Sequence, residues 1–386
     1  MRAGLLGRKL GHSLSPQIHR FFGDYGYRLY EKEPEEVEGF LRNGFAGGDF
    51  DFLNVTIPYK QTVFALCDEL SPMARKLGNV NFVTRTADGK LRGDNTDAFG
   101  VERLLAANGI DVRAWNCAIL GAGGAAMTVK AVLEERGAKR VSFVRRGENP
   151  AQDDDLIVNA TPVGMFPDVD SVRVDILQYV SSKAVLDLVY NPSPTRLVRE
   201  ALACGKIAAD GMVMLIAQAY RAFQLSADYH LPTTNYQLFL YGPPASGKST
   251  WAKRIAAATG WKLVDLDAEI VKAEGRSIPE IFAAVGEKGF RELEKRRLAT
   301  VCGDRNVAAP TGRVIALGGG ALLDPESRKI AETAGRVIVL DCPLETLKAR
   351  LSGGDRPLSA DAAKLEALVK FRAAHYASFP NHVEMV

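Results

Sequence analysis

Two glycine-rich strings in this chain have the residue types and spacing to hold phosphates. The stronger is Gly242-Pro-Pro-Ala245-Ser246-Gly247-Lys248-Ser249-Thr250, which satisfies Gly-x-x-x-x-Gly-Lys-Ser in full. In such a loop the backbone amides cradle the phosphates, Lys248 reaches the β and γ oxygens, and the Ser249 hydroxyl can hold Mg²⁺. Asp265-x-Asp267 closes the next apolar run and puts two carboxylates toward the phosphates. A helix cap accounts for one of these aspartates and less easily for both. Gly318-Gly319-Gly320 ends a further buried run, where glycines let backbone approach a ligand closely. Arg350, Arg356 and Arg372 lie beyond, and each taken singly reads as a solvated side chain.

The other string is Gly121-Ala122-Gly123-Gly124-Ala125-Ala126, a Gly-x-Gly-x-x-Ala between the apolar run 117–120 and a helical pattern. This is the strand–turn–helix context of a dinucleotide site. The first glycine permits the tight turn, the second lets backbone approach a pyrophosphate, and the small last residue lets helix and strand pack closely. The next strand, 140–144, ends in Arg145-Arg146 where an NAD enzyme would carry an acid for the ribose hydroxyl. Guanidinium groups there suit a 2′-phosphate, so NADP is favoured over NAD.

The elements that must position these strings alternate as short apolar runs and helical patterns, which predicts an α/β chain on parallel sheets. Its 386 residues suit two or three compact units. A polar run with a proline, 226–237 (SADYHLPTTNYQ), follows an amphipathic helix over 212–225 and reads as the linker. A second polar run, 147–155 (GENPAQDDD), reads as a loop between two strands. Net charge is +3, which gives no field for nonspecific nucleic-acid or anionic-membrane binding. No apolar run reaches the length of a membrane span, and Arg, Lys and Gly interrupt the start too early for a signal peptide. Five scattered cysteines without Cys-x-x-Cys, and five histidines without ligand spacing, fit reduced thiols in a cytoplasmic protein and no structural zinc.

At these residues the chain resembles two families joined end to end. Residues 1 to about 228 resemble shikimate dehydrogenase, and about 237 to 386 resemble shikimate kinase. The implied organisation is a substrate-binding domain over 1–98, a shortened Rossmann-like NADP domain over 99–211, and a helix at 212–228 returning to the substrate domain. A linker at 229–236 and a P-loop kinase domain over 237–386 follow. Ser13-Leu-Ser15-Pro16 resembles the dehydrogenase's Ser-x-Ser, whose hydroxyls hold the substrate carboxylate; by residue type alone it reads as a helix N-cap. Asn54-Val-Thr56-Ile-Pro-Tyr-Lys60 resembles the motif with the catalytic lysine, which makes Lys60 the proton donor and Thr56 a substrate contact. Gly78-Asn-Val-Asn81 and Gly93-Asp-Asn-Thr-Asp97 imply that Asn81 and Asp97 bind ring hydroxyls and that Asp97 pairs with Lys60. Tyr190 and Gln218 are implied as substrate contacts, and Thr161, Leu188 and Gly211 as cofactor-side residues. In the kinase half the resemblance makes Asp265 the Mg²⁺-associated aspartate and Asp267 the partner of the attacking hydroxyl. It makes Arg291 and Arg372 the carboxylate arginines, Gly318 to Gly320 the substrate turn, Arg350 an adenine neighbour and Arg356 the lid arginine.

The chain departs from both patterns. Only about a dozen residues separate Arg146 from Asn159, so a helix and a strand of the cofactor domain are expected to be missing. Val144-Arg-Arg replaces Asn-Arg-Thr, and Asn79 and Phe82 stand where the dehydrogenases tend to have Ala and Thr. The kinase half stops near its last strand, which implies weaker ATP binding or cover from the other half. The leading reading is a bifunctional enzyme that uses NADP(H), ATP and Mg²⁺ on small-molecule substrates. The alternatives are an active kinase with a weak dehydrogenase-like half, a ligand-sensing regulator, and a different P-loop kinase. The retained Lys60, Asp97, Lys248, Asp267 and Arg291 argue against the regulator.

Overall fold

The computed structural model describes residues 1–11, 13–226, 236–303, 312–351 and 362–384. The chain forms two compact units, the first of residues 1–229 with 257–259 and the second of residues 230–256 and 260–386. The linker expected at 229–236 lies almost wholly outside the described residues.

The first unit carries two sheets. Its first has six strands in the order Gly26–Glu31, Arg2–Gly7, Phe52–Val55, Phe82–Arg85, Leu91–Asp94, Glu69–Leu70. The expectation of parallel sheets fails here, because Phe82–Arg85 runs antiparallel to both of its neighbours. The cause is local. Gly89 adopts φ +88°, and the Thr86–Lys90 hydrogen bonds close a tight reversal that no helical crossover could make. Phe52–Val55 is buried throughout, ends at Thr56, and turns into the helix Lys60–Leu66. Leu91–Asp94 leads into the helix Asp97–Ala107. These two helix starts place Lys60 and Asp97.

The other sheet is wholly parallel, in the order Ile207–Ala209, Ala184–Asp187, Leu156–Asn159, Asn116–Leu120, Arg140–Val144. Its three central strands are almost continuously buried, as a sheet covered on both faces requires. Arg140–Val144 is an edge strand, and the chain passes from it to Leu156–Asn159 with no helix or strand between. The missing helix and strand are therefore seen as missing. The acidic run closes the gap. Asp154, buried, accepts from Arg140 Nη2 at 2.9 Å and from the Ala151 N–H at 2.8 Å, and Asp155 accepts from the Asn116 N–H at 2.9 Å. The helix Met212–Leu225 packs on Asp97–Ala107 and on the short helix Ser15–Arg20. A Cβ at Gly100 would stand 2.9 Å from the Met214 carbonyl oxygen, so glycine permits that close crossing.

The second unit is a five-stranded parallel sheet in the order Lys262–Asp265, Arg313–Ala316, Gln237–Tyr241, Arg336–Asp341, His382–Glu384. Its central strand Gln237–Tyr241 is fully buried and ends at the phosphate loop, which opens the helix Lys248–Thr259.

Candidate active sites

The implied lysine–aspartate pair forms. Lys60 Nζ donates to Asp97 Oδ2 at 2.5 Å, with side chains only 17% and 10% exposed. The other carboxylate oxygen accepts from Asn81 Nδ2 at 2.8 Å, and Asn81 Oδ1 accepts from the Thr96 N–H at 2.7 Å. Residues from separate sequence motifs thus share one hydrogen-bonded line. Such a line fixes where an ammonium proton is presented.

Ser13 Oγ lies 3.1 Å from Ser15 Oγ and accepts from the Ser15 N–H at 3.2 Å. Burial raises the Tyr190 and Tyr27 phenols above their ordinary pKa, while neighbouring Ser13 and Ser15, respectively, pull them down. The N-cap reading of this string is corrected. Residue Leu14 caps the helix without a side-chain bond, and Ser15 is already the first helical residue. Sequence reasoning missed the support behind these serines. Tyr27 Oη donates to Asn54 Oδ1 at 3.0 Å and stacks on the buried His19 at 4.0 Å. Burial lowers the His19 pKa to about 3, so it is a neutral packing group. Gln218 donates to its own helix at the Leu215 carbonyl, and half-buried Thr56 lies against Gly7. Among the described residues neither hydrogen-bonds the Lys60 pair or the serines.

The Gly121 loop fits a dinucleotide. Gly121 has φ +102°, and a Cβ there would stand 2.9 Å from Thr161 Cγ2. At Gly123 and Gly124 a Cβ would meet nothing within 4 Å, which leaves the helix start open to a pyrophosphate. Ala122 is exposed, Ala125 half-buried, and Ala126 fully buried against the strand. Gly211 has no room for a side chain beside the Leu188 carbonyl oxygen. Thr161 Oγ1 donates to Asn159 Oδ1 at 2.6 Å, and Asn159 Nδ2 to Asp187 Oδ1 at 2.9 Å. Burial lifts the Asp187 carboxyl to about 6 against the pull of its hydrogen bonds to Val189, Thr195 and Asn159. Arg145 and Arg146 are exposed at the end of the edge strand. Their turn is closed by Glu148, which accepts from the Arg145 N–H at 2.8 Å. Arg173, which no motif marked, donates to the Arg145 and Glu148 carbonyls and holds the same turn.

In the second unit Gly242 and Gly247 adopt φ +129° and +92°, and a Cβ at Gly242 would stand 2.8 Å from the Leu340 carbonyl oxygen. Ala245 takes φ +63°, a left-handed geometry that costs a residue with a Cβ about 1–2 kcal/mol. Lys248 Nζ donates to the Gly242 and Pro243 carbonyls at 2.9 and 2.7 Å. Ser246 is fully buried and Thr250 exposed. Ser249 Oγ donates to Asp265 Oδ2 at 3.0 Å, and Asp265 Oδ1 also caps the next helix through the Ala268 N–H. Asp265 is both cap and loop partner, and with Ser249 it forms a hard-oxygen pair that fits Mg²⁺.

A Cβ at Gly318 would stand 3.3 Å from Asp267 Oδ1, and one at Gly320 would stand 2.6 Å from Arg291 Nη2. Arg372 Nη1 and Tyr376 Oη both donate to the Gly319 carbonyl, at 3.0 and 2.7 Å. Asp267, Arg291, Arg372 and the glycine turn therefore gather at one place. Glu294 lies among them at 2% exposure, and burial raises its pKa against the pull of Arg291. Its Oε2 accepts from Arg291 at 2.5 Å, while Oε1 finds no partner among the described residues. Arg350 donates to Cys342 Sγ at 3.5 Å and lies beside Gly247. Arg356 lies outside the described residues.

Comparison with known proteins matches the two halves of the chain to two families. The family model for the shikimate dehydrogenase substrate binding domain matches residues 5–83, and the shikimate kinase model matches 244–385. A shikimate dehydrogenase (NADP(+)) of Clostridium beijerinckii is 36% identical over 247 residues, covering 58% of this chain and 90% of the relative. The crystal structure of a chorismate mutase/shikimate 5-dehydrogenase fusion from Clostridium acetobutylicum is 31% identical with TM-score 0.56, covering 60% of this chain and 92% of that one. The shikimate 5-dehydrogenase of Thermus thermophilus, solved with NADP(H) and shikimate, is 32% identical with TM-score 0.54, covering 59% and 94%. The chain belongs to the shikimate dehydrogenase family through its first unit, and carries a shikimate kinase domain as its second.

Proposed function

We propose that the first unit reduces 3-dehydroshikimate to shikimate with NADPH and that the second phosphorylates the shikimate 3-hydroxyl with ATP and Mg²⁺. The carrying observation is the buried Lys60–Asp97 pair, locked by Asn81, in a chain that also holds a complete phosphate loop. When bound, NADPH supplies the hydride and Mg-ATP the phosphoryl group; the residues do the rest. Lys60 gives its proton to the oxygen developing on the reduced carbonyl, and Asp97 keeps it aimed. Ser13, Ser15 and Tyr190 bind the substrate carboxylate, and Thr56, Asn81, Asp97 and Gln218 its ring hydroxyls. The Gly121 loop, Thr161, Leu188 and Gly211 line the dinucleotide, with Arg145 and Arg146 on the 2′-phosphate.

In the second unit Arg291 and Arg372 hold the carboxylate against the Gly318–Gly320 turn, and Asp267 takes the hydroxyl proton. Lys248 exchanges two loop carbonyls for phosphate oxygens, while Ser249 and Asp265 face the metal. Arg350 flanks the base and Arg356 neutralises the transferring charge. The five cysteines are unpaired, as fits a reducing cytoplasm. No described helix is long and apolar enough to cross a membrane.

One incubation tests the reading. Purified protein with 3-dehydroshikimate, NADPH and Mg-ATP should yield shikimate 3-phosphate as NADPH is consumed. No NADPH loss, with added shikimate still phosphorylated, would leave a kinase with an idle first unit. The sheet edge where a helix and strand are missing is the feature that favours this second reading.

A further inference from the structure

We infer that Asn79 is a positioning residue for the reduction, acting through Asn95 on Asp97; this rests on the reading of the Lys60–Asp97 pair given above. Asn79 is 2% exposed and Asn95 5% exposed, so neither amide can be satisfied by water. Each finds protein partners. Asn79 Oδ1 accepts from Asn95 Nδ2 at 2.6 Å, and Asn79 Nδ2 donates to the Leu77 carbonyl at 3.2 Å. That leaves Asn95 Oδ1 facing the start of the helix Asp97–Ala107, where it accepts the N–H groups of Asp97 at 3.0 Å and Ala98 at 3.3 Å. The direction matters. A carboxamide has a donor end and an acceptor end, and only the acceptor end can take two N–H groups. With an acceptor at residue 79, Asn95 must keep its NH₂ there and its oxygen on the helix start. Without one, the buried Asn95 NH₂ has lost its acceptor, and only the two N–H groups of the helix start still hold the amide beneath Asp97. The same segment also touches the other partner of the pair, because the Val80 N–H donates to the Lys60 carbonyl at 3.0 Å. Asn79 therefore anchors the NH₂ end of the amide whose other end seats Asp97.

Asn79→Leu keeps the volume and removes the acceptor, whereas Asn79→Asp keeps an acceptor toward Asn95. Reduction of 3-dehydroshikimate and phosphorylation of added shikimate are measured on the same full chains, the second activity reporting an intact second unit. Thermal unfolding of the first unit is recorded for each. The expected result is a kcat for reduction about tenfold lower in the Leu variant, the size of one net hydrogen bond, with the NADPH KM unchanged. The Asp variant turns a carboxylate oxygen onto the Leu77 carbonyl, so it should lose thermal stability while its kcat stays within about threefold of wild type. Equal kcat in the Leu variant and wild type, or equal losses in both variants, would show that Asn79 only fills space or only stabilises the fold. Absence of reduction in the wild-type chain would instead overturn the reading of the pair itself, and this inference with it.

Discussion

The Lys60–Asp97 cluster of the first unit and the anion-binding cluster of the second differ in how far their polar groups are satisfied by one another. In the first unit Lys60, Asp97, Asn81 and Thr96 close a chain of hydrogen bonds. In the second, Glu294 Oε1, Ser246 Oγ and Arg372 Nε are buried without a partner among the described residues, and Lys248 is turned onto its own loop carbonyls. The difference follows the chemistry proposed for each site. A proton donor must be held to a few tenths of an ångström before the substrate arrives, so its partners are built in. Phosphoryl transfer is mostly charge neutralisation, and its arginines, lysine and loop amides take their anionic partners from the ligands.

That contrast can be broken at its strongest points first. Lys60→Ala should lower the kcat of reduction by about 10²–10⁴, the worth of a positioned proton donor, and leave phosphorylation of added shikimate unchanged. Lys248→Ala should do the reverse, with roughly 10²–10³ lost from phosphorylation. A product assay on each variant checks both, and loss of both activities in either would end the picture of two independent sites. Replacing Arg145 and Arg146 together by alanine should raise the KM for NADPH roughly 10–100-fold, as expected for lost charge-assisted bonds, while NADH kinetics barely move. Equal effects on the two nucleotides would remove these arginines from the 2′-phosphate.

The smallest effect concerns pH. Burial holds the Asp187 carboxyl near 6, above its ordinary value of 3.8, so the folded state binds this proton more tightly than the unfolded chain. Its contribution to stability is therefore complete below about pH 4 and is lost as the pH rises through about 6. Relative to Asp187→Asn, the wild type should lose about 2–3 kcal/mol across that window. Urea unfolding followed at Trp115, with Trp251 and Trp261 replaced by Phe, measures it; a constant difference from pH 4 to 7 would contradict the raised carboxyl.

The local strings were legible because their geometry is local. The Gly121 and Gly242 loops need only a strand before, a helix after, and glycines at left-handed turns, all contained within a few residues. The helix over 212–225 and the edge strand 140–144 follow from periodicity in the same way. The missing helix and strand were legible by counting. Other features were not. The antiparallel pairing of Phe82–Arg85 depends on a turn at Gly89 that period-two patterning does not distinguish from a crossover. Ser13 and Ser15 have the side chains of a helix cap, yet the helix starts one residue too early for Ser15 to cap it, and the two hydroxyls meet each other instead. Arg173 carries no motif at all, and Asn79 shows in the sequence only as a departure from one.

Residue order by itself determined the two nucleotide loops, the succession of strands and helices, and the pairing of two families in one chain. Those depend on glycine geometry, apolar spacing and short strings, and such forces act between near neighbours. Tertiary structure alone decided that Glu294 would be buried with an unsatisfied oxygen, that Arg173 would hold the Arg145 turn, and that Asn79 would face Asn95. These are contacts between residues 3 to 28 positions apart whose worth depends on exclusion of water and on hydrogen-bond direction. Neither exists until the chain has packed.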